Sequence, residues 1–365
     1  MNINRPWSLP GKLAMKERQM KHHAFCRLRA FALALVILFG LPANIASAQP
    51  PPPLEGWQTT KNADHPLVGK ILDVVEQAEI TPDQLIERLA QQRFILLGEI
   101  HDNKDHHRLQ AWVISQLGSR KRTPNIVMEQ IRADQAGLLK LFMSGKFKTA
   151  KRMGPAIGWE KSGWPKWEIY QPIAKAALDN KVSIFAGDTT KDMNRKVGKQ
   201  GFKALAKGEA AELGLDNPLG KALDTALANE LVGSHCNMMP ARMMGPMALV
   251  QRYRDAHLAR AMLKADKGDG SILITGNGHA RTDRAVPWYL RGAQKNSVSV
   301  LIVEARKDAK TFLDLISLDP DGKATADFIW VTPGVDREDP CLKLKKQFGG
   351  KHGKSNKPGS NKKEQ

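Results

Sequence analysis

Two apolar runs that end in glycine turns carrying histidine constrain this chain more than any other feature. The first, Phe-Ile-Leu-Leu at residues 94–97, meets Gly98 and then Glu99, His101, Asp102, His106 and His107. The second, residues 272–275, runs into Gly276-Asn-Gly-His279, with Arg281 and Asp283 close behind. Short continuous apolar runs bounded by glycine suit strands buried on both faces of a parallel sheet. In such sheets ligands and chemistry gather just beyond the carboxyl ends of the strands. The two histidine-bearing turns are therefore expected to form two walls of one site.

Further apolar runs of strand length lie at 125–128, 182–186 and 298–303, and helical patterns at 106–117, 168–178 and 251–264. This alternation predicts an α/β fold, a mainly parallel sheet covered by helices. Thr81 followed by Pro82 reads as a capped helix start. The interval of about 193–260 lacks a strand-like run and is rich in Ala, Leu, Lys and Met, so a smaller inserted helical subdomain is expected there.

Polar groups end every strand in this reading. Glu129 follows the second run, Asp188 the third, His279 and Arg281 the fourth, and Glu304 the fifth. Each has a plainer role open to it: Glu99 or Asp102 can cap the next helix, and Glu129 can pair with Arg132. Their convergence singles out Glu99, His101 and His279. Those oxygens and nitrogens suit a divalent metal ion that lowers the pKa of a bound water. On a helix starting near Asp102, His106 and Gln110 share a face while His107 points about a quarter-turn away, so the adjacent pair cannot both face one site. The spacing is not the His-Glu-x-x-His of zinc proteases.

Residues 158–172 hold Trp159, Trp164, Trp167 and Tyr170 in a segment broken by Gly and Pro, a loop leading into a helix. Such a cluster either plugs the edge of a core or walls a flat apolar ligand, with the phenol as an axial oxygen for iron.

The ends of the chain read separately. Arg27 and Arg29 precede an apolar run at 30–41, Pro42 breaks it, and Ala46-Ser47-Ala48 supplies small residues for cleavage. Residues 1–48 thus read as a cleavable signal peptide, with a mature start at Gln49 and a periplasmic destination. No cysteine follows the apolar run, and the remaining pair, Cys236 and Cys341, is expected to form a disulfide in an oxidising compartment. Residues 49–80 read as a linker and N-terminal segment, 81–335 as the main domain, and 341–365 as a basic disordered tail. The formal net charge is +19, of which the leader contributes +6 and the tail +7, leaving +6 for the body. The body does not interleave aromatic and basic residues as a nucleic-acid binder does, so no nucleic-acid partner is expected.

Several of these segments together carry a family resemblance. They are Leu97-Gly-Glu-Ile-His-Asp-Asn103, His106-His107, Met128-Glu-Gln130, the 158–170 loop, Ser234-His-Cys236, Gln251-Arg-Tyr-Arg-Asp255 and Gly276-Asn-Gly-His-Ala-Arg281. This pattern, spread over about 80–335, resembles the ChaN-type haem-binding uptake proteins of the Tiki superfamily. The resemblance implies an α/β domain with a smaller helical one, and haem held through a tyrosine in a pocket that a homodimer closes. It also implies a part in haem-iron uptake or storage, with outer-membrane haem uptake components as partners. The chain departs from lipid-anchored members in lacking a lipobox.

Two readings stand side by side. In the first, haem is bound by Tyr170, between Trp164 and Trp167, with Arg281 for the propionates and Tyr289 as the alternative ligand. In the second, a hydrolase uses Glu99, His101 and His279 to hold a divalent metal ion. The first places binding rather than turnover at the centre of the function.

Overall fold

Strand β3, Phe94–Glu99, is buried at every residue, as a strand covered on both faces must be. The computed structural model describes residues 56–339 with Cys341, Leu342 and Lys345. The expected signal peptide and cleavage site, and nearly all of the expected basic tail, lie outside the described residues. β3 belongs to an eight-stranded sheet of order β2-β1-β8-β7-β3-β6-β4-β5. Its other members are β1 (Ile71–Asp73), β2 (Ala78–Ile80), β4 (Asn125–Arg132), β5 (Ile184–Asp188), β6 (Ser271–Gly276), β7 (Val298–Glu304) and β8 (Phe328–Thr332). The pairings of β3 to β8 with one another are all parallel, whereas β1 runs antiparallel to β2 and β8. The predicted α/β class holds.

Side chains alternate across the sheet with period two and so build two cores. Ile95, Leu97, Ile126, Met128, Ile272 and Ile274 enter one, while Phe94, Leu96, Val127 and Leu273 enter the other. The first core is covered by α1 (Pro82–Ala90), α2 (Lys104–Ser119), α3 (Ala136–Ser144), α4 (Ala150–Ala156) and α5 (Trp167–Asp179). The second is covered chiefly from five of the other six helices, the third of the six adding no side chain to it. The six are α6 (Lys191–Gln200), α7 (Glu209–Glu212), α8 (Lys221–Ser234), α9 (Gly245–Ala265), α10 (Asn277–Ala280) and α11 (Val286–Gly292). Fully burying each Leu, Ile or Phe contributes about 1.5–3 kcal/mol, so both faces hold the sheet. The stretch from α6 to α9 is helical throughout, with the remainder in turns and 3-10 segments.

Local chemistry explains how the elements are placed. Thr81 caps α1 by accepting from the Gln84 amide, and the Gln84 side chain returns the bond to the Thr81 amide, a reciprocal box that satisfies two otherwise unpaired donors. Asn103 caps α2, accepting from the amides of Asp105 and His106. The Asp105 carboxylate in turn receives the amides of Gln58 and Thr59, which fastens the N-terminal segment to the start of α2. A disulfide joins Cys236, just beyond α8, to Cys341, with Cα atoms 5.4 Å apart, as expected from the two cysteines of the body.

Candidate functional site

Sheet order brings three strand ends together: β6 lies between β3 and β4, and Glu99 pairs in register with Gly276. Glu99 and Glu129, at or near the ends of the flanking strands, therefore face one another across the β6 turn. The Gly276 amide donates to Glu129 Oε2 (2.8 Å), and the Thr275 hydroxyl donates to the same oxygen (2.6 Å). The bare glycine lets the His101 ring lie close, since a Cβ at 276 would stand 2.8 Å from its Cε1 and 2.9 Å from its Nε2 and would push the ring aside. The three residues singled out in the sequence thus gather around Glu129.

Each carboxylate of this cluster is matched by cations and donors. Glu99 meets His101 Nδ1 at 2.9 Å, receives Gln130 Nε2 at 2.6 Å, and its other oxygen lies against His107 Nε2. Burial opposes ionisation of Glu99, but the charge of His107 and the hydrogen bonds of both histidines outweigh it and hold the carboxyl at about 2. Glu129 accepts from Arg254 (2.7 Å) and pairs with His279 Nε2 (3.4 Å). His279 Nδ1 sits 2.6 Å from Asp255 Oδ1. Burial favours neutral His279, yet Glu129 and then Asp255 raise it to about 10. Burial also pushes the Asp255 carboxyl up, so Glu129, held well below the usual range, is the firmer counter-charge. Arg254 also binds Asp188 at the end of β5 (Nη2–Oδ2 2.9 Å), extending the alternation of charge across four strands.

His101 differs from the rest. Its side chain is 38% exposed, its ring meets Trp164 edge-on at 4.7 Å, and its pKa is raised: burial works against this, but the Glu99 hydrogen bond and the Glu129 charge prevail. His106 and His107 part as the helical spacing required. His107 reaches Glu99, whereas His106 turns to Thr332 (Nε2–Oγ1 2.9 Å) and accepts from the Ile100 amide. Burial, with the neighbouring His107, keeps His106 neutral, its pKa near 3.

The aromatic loop does not form a slot. Trp159 stacks on Trp167 (4.7 Å) and Tyr170 (4.9 Å) inside the first core, and both indole nitrogens donate to backbone carbonyls. Gly154 makes room for Trp167, since a Cβ there would fall 2.3 Å from its ring. Tyr170 is fully buried and donates toward the His101 carbonyl (3.1 Å) and Glu99 (3.4 Å). Burial and the adjacent carboxylates raise its pKa. The expectation of Tyr170 as an axial ligand, with Trp167 as a wall, does not fit this packing. Only Trp164 is partly open. Tyr289 is likewise buried, takes a hydrogen bond from Arg252 Nε (3.2 Å), and is pushed up to about 12 chiefly by burial. Arg281, also buried, is engaged by Asp283 and Glu230, which leaves it unsuited to propionates.

Among the described residues, no group of three or more His, Cys, Asp or Glu is arranged to hold a metal ion. The donors expected to do so are already committed, Glu99 to two histidines and Gln130, and Glu129 to Arg254, His279 and the β6 turn.

Beside the cluster lies an apolar cleft of about 310 Å³ between α6, α8 and α9. Leu231, Pro246, Met247 and Val250 wall it, and Gln251 and Arg254 line the end that leads to His279 and Glu129. His235 also lines it, with Nδ1 2.7 Å from the Leu231 carbonyl. That bond places the proton on Nδ1 and leaves the Nε2 lone pair for a ligand, the usual arrangement of a metal-binding imidazole. No role was assigned to His235, Gln251, Arg254 or Asp255 from sequence. The i, i+3, i+4 spacing of Gln251, Arg254 and Asp255 was the available signal, since it puts them on one face of α9.

An open, mostly parallel sheet with a charged strand-end cluster and a neighbouring apolar cleft defines an α/β ligand-binding protein. The chain belongs to the family described as haem-binding uptake, Tiki superfamily, ChaN, whose model matches residues 85–290, more than half its length. Among solved structures it is similar to that titled for cofacial heme binding to ChaN of Campylobacter jejuni. The two are 18% identical over 71% of this chain and 95% of that one, with a TM-score of 0.54, a likeness of fold. Weaker likenesses are to the type III effector HopBA1 (10% identity, 69% and 92% covered, TM-score 0.40) and to an erythromycin esterase mutant, EreC, in its open conformation (13%, 71% and 95%, 0.37). No curated protein matches the chain.

Proposed function

We infer that this protein binds haem in the cleft between α6, α8 and α9, and serves haem-iron uptake or storage outside the cytoplasm. The observation that carries this reading is His235, an imidazole with a free Nε2 lone pair in an apolar, methionine-bearing cleft. The residues fit the group: Leu231, Pro246, Met247 and Val250 suit a flat apolar macrocycle, and His235 suits its iron. None of the three tyrosines is comparably placed, since Tyr170, Tyr253 and Tyr289 are all buried and all have raised pKa values. The cleft is at the small end of the about 300–1,000 Å³ typical of small-molecule sites. A macrocycle seated there keeps an exposed face, which a second copy of the chain is suited to cover. Family membership and the Cys236–Cys341 disulfide, a bond that persists in oxidising compartments, support the periplasmic assignment and uptake components of the outer membrane as partners.

Haemin titration followed by visible absorption tests the site. His235→Ala should abolish the bound-haem spectrum and added imidazole should restore it, whereas Tyr170→Phe should leave it unchanged. Loss of the spectrum in Tyr170→Phe, with His235→Ala silent, overturns the assignment.

His101 favours a second reading. It is the exposed member of a carboxylate–imidazole pair oriented by Glu99, an arrangement suited to general acid–base hydrolysis. Ester hydrolysis by the purified protein that disappears in His101→Ala supports that activity, and its absence in the parent protein removes it.

A further inference from the structure

The segment 136–159 serves neither the cleft nor the strand-end cluster, yet it holds the most exposed large apolar side chains of α3 and the following turn. Leu138 is 49% exposed, Leu141 71% and Phe147 81%. On a helix, Leu139 and Leu141 point about 200° apart. Leu139 enters the core, so Leu141 faces away from it, flanked by Leu138 and Lys140. The chain then turns back at once: the Gly145 amide donates to the Phe142 carbonyl (3.1 Å), and Lys148 Nζ donates to the Met143 carbonyl (2.9 Å). Phe147 is thereby carried beside the end of α3. The same segment carries Lys140, Lys146, Lys148, Lys151 and Arg152, all exposed, and no acidic residue occurs from 136 to 159.

We propose that this knuckle docks on an anionic phospholipid surface. Leu141 and Phe147 enter the boundary between headgroups and acyl chains, and the five cations sit against the phosphates, the division of labour found in interfacial amphipathic segments. Charge selects this occupant over a second copy of the chain. A twofold self-interface through the same patch would set five cations against five, with no carboxylate in the segment to offset them. Lysine stems add to the fit, since they lie along apolar surface while the ammonium reaches the headgroups.

The test is cosedimentation of the full, disulfide-bonded chain with vesicles of phosphatidylcholine alone or mixed with phosphatidylglycerol. Binding is expected to the mixed vesicles only and to weaken in high salt. Leu141→Ser with Phe147→Ser should lower affinity on the order of tenfold or more, from the lost apolar burial. Lys146→Glu with Lys151→Glu should cost about fivefold or more per residue, since each cation near an anionic surface contributes about that factor. All four sites are exposed, so circular dichroism should show unchanged folding. Equal binding to both vesicle types overturns the proposal. So does unchanged binding by the Leu141/Phe147 variant, which would assign attachment to the Lys-rich C-terminal stretch. Vesicle-independent self-association that the same variant abolishes overturns it in favour of a protein interface.

Discussion

The strand-end cluster and the neighbouring cleft sit side by side, linked through Gln251 and Arg254, yet they are built on opposite terms. In the cluster each of the four carboxylates, Glu99, Glu129, Asp255 and Asp188, is paired with an imidazole or guanidinium of His101, His107, His279 or Arg254, and all four are buried below a tenth of their surface. In the cleft a single imidazole is set by one backbone carbonyl, amid hydrocarbon and thioether. A dense gathering of ionisable residues is therefore not the same as an available one. A network whose carboxylates already hold imidazole or guanidinium partners fixes backbone and field, whereas a ligand goes where a donor has been left unmatched.

The largest expected difference between the regions is in stability. Glu129→Ala removes a counter-charge from the buried His279 and the partly buried Arg254, which should cost about 3–5 kcal/mol by urea denaturation. His235→Ala, in the cleft, should fall within about 0.5 kcal/mol of the parent. Equal costs at the two sites would erase the contrast.

Acid and alkali should sharpen it next. The fold raises His279 from 6.5 to about 10. Its pairing therefore stabilises fully below pH 6.5 and is lost as pH rises through 10. Glu99 runs the other way, lowered from 4.5 to about 2, so its contribution is present above pH 4.5 and lost as pH falls through 2. Unfolding free energy measured across the alkaline window should decline with a slope of up to about 1.4 kcal/mol per pH unit from this one proton. His279→Gln should flatten that limb, and an unchanged slope would show that the charge lies elsewhere.

Tyr170→Phe is the smallest and most discriminating change. Losing the hydroxyl's bonds to Glu99 and the His101 carbonyl should cost about 1 kcal/mol in thermal denaturation, with haemin affinity untouched. A large loss of affinity would return the phenol to the site.

Much of the sheet could be read in advance because a central parallel strand is apolar along its whole length. The runs at 94–97, 125–128, 182–186, 271–275 and 298–303 became β3 to β7 with their ends moved by no more than two residues, except that β4 runs four residues further, to Arg132. β1 and β2 were passed over because three residues are too few to show a period, although β8, Phe-Ile-Trp-Val-Thr, had the necessary signal. Glu99, His101 and His279 stood out because charge directly after an apolar run is unusual. Arg254 and Asp255 did not, being hidden in a long helix whose polar face looks like any solvated one. The aromatic loop misled for a related reason: sequence shows that Trp159, Trp167 and Tyr170 are close, but only packing decides whether they meet each other or a ligand.

The bond between Cys236 and Cys341 spans 105 positions of sequence and makes the intervening chain a covalent ring. Strand β6, which lies between β3 and β4, falls within that ring, as do β7, β8 and α9 with its half of the cleft. A protease that nicks any loop of the ring breaks the backbone without releasing a piece, because both ends of the cut remain tied through the sulfurs. Exposed to a peptidase, the cleft wall and the sheet strands inside the ring thus outlast a first cleavage. Damage becomes terminal only on a second cut or on reduction.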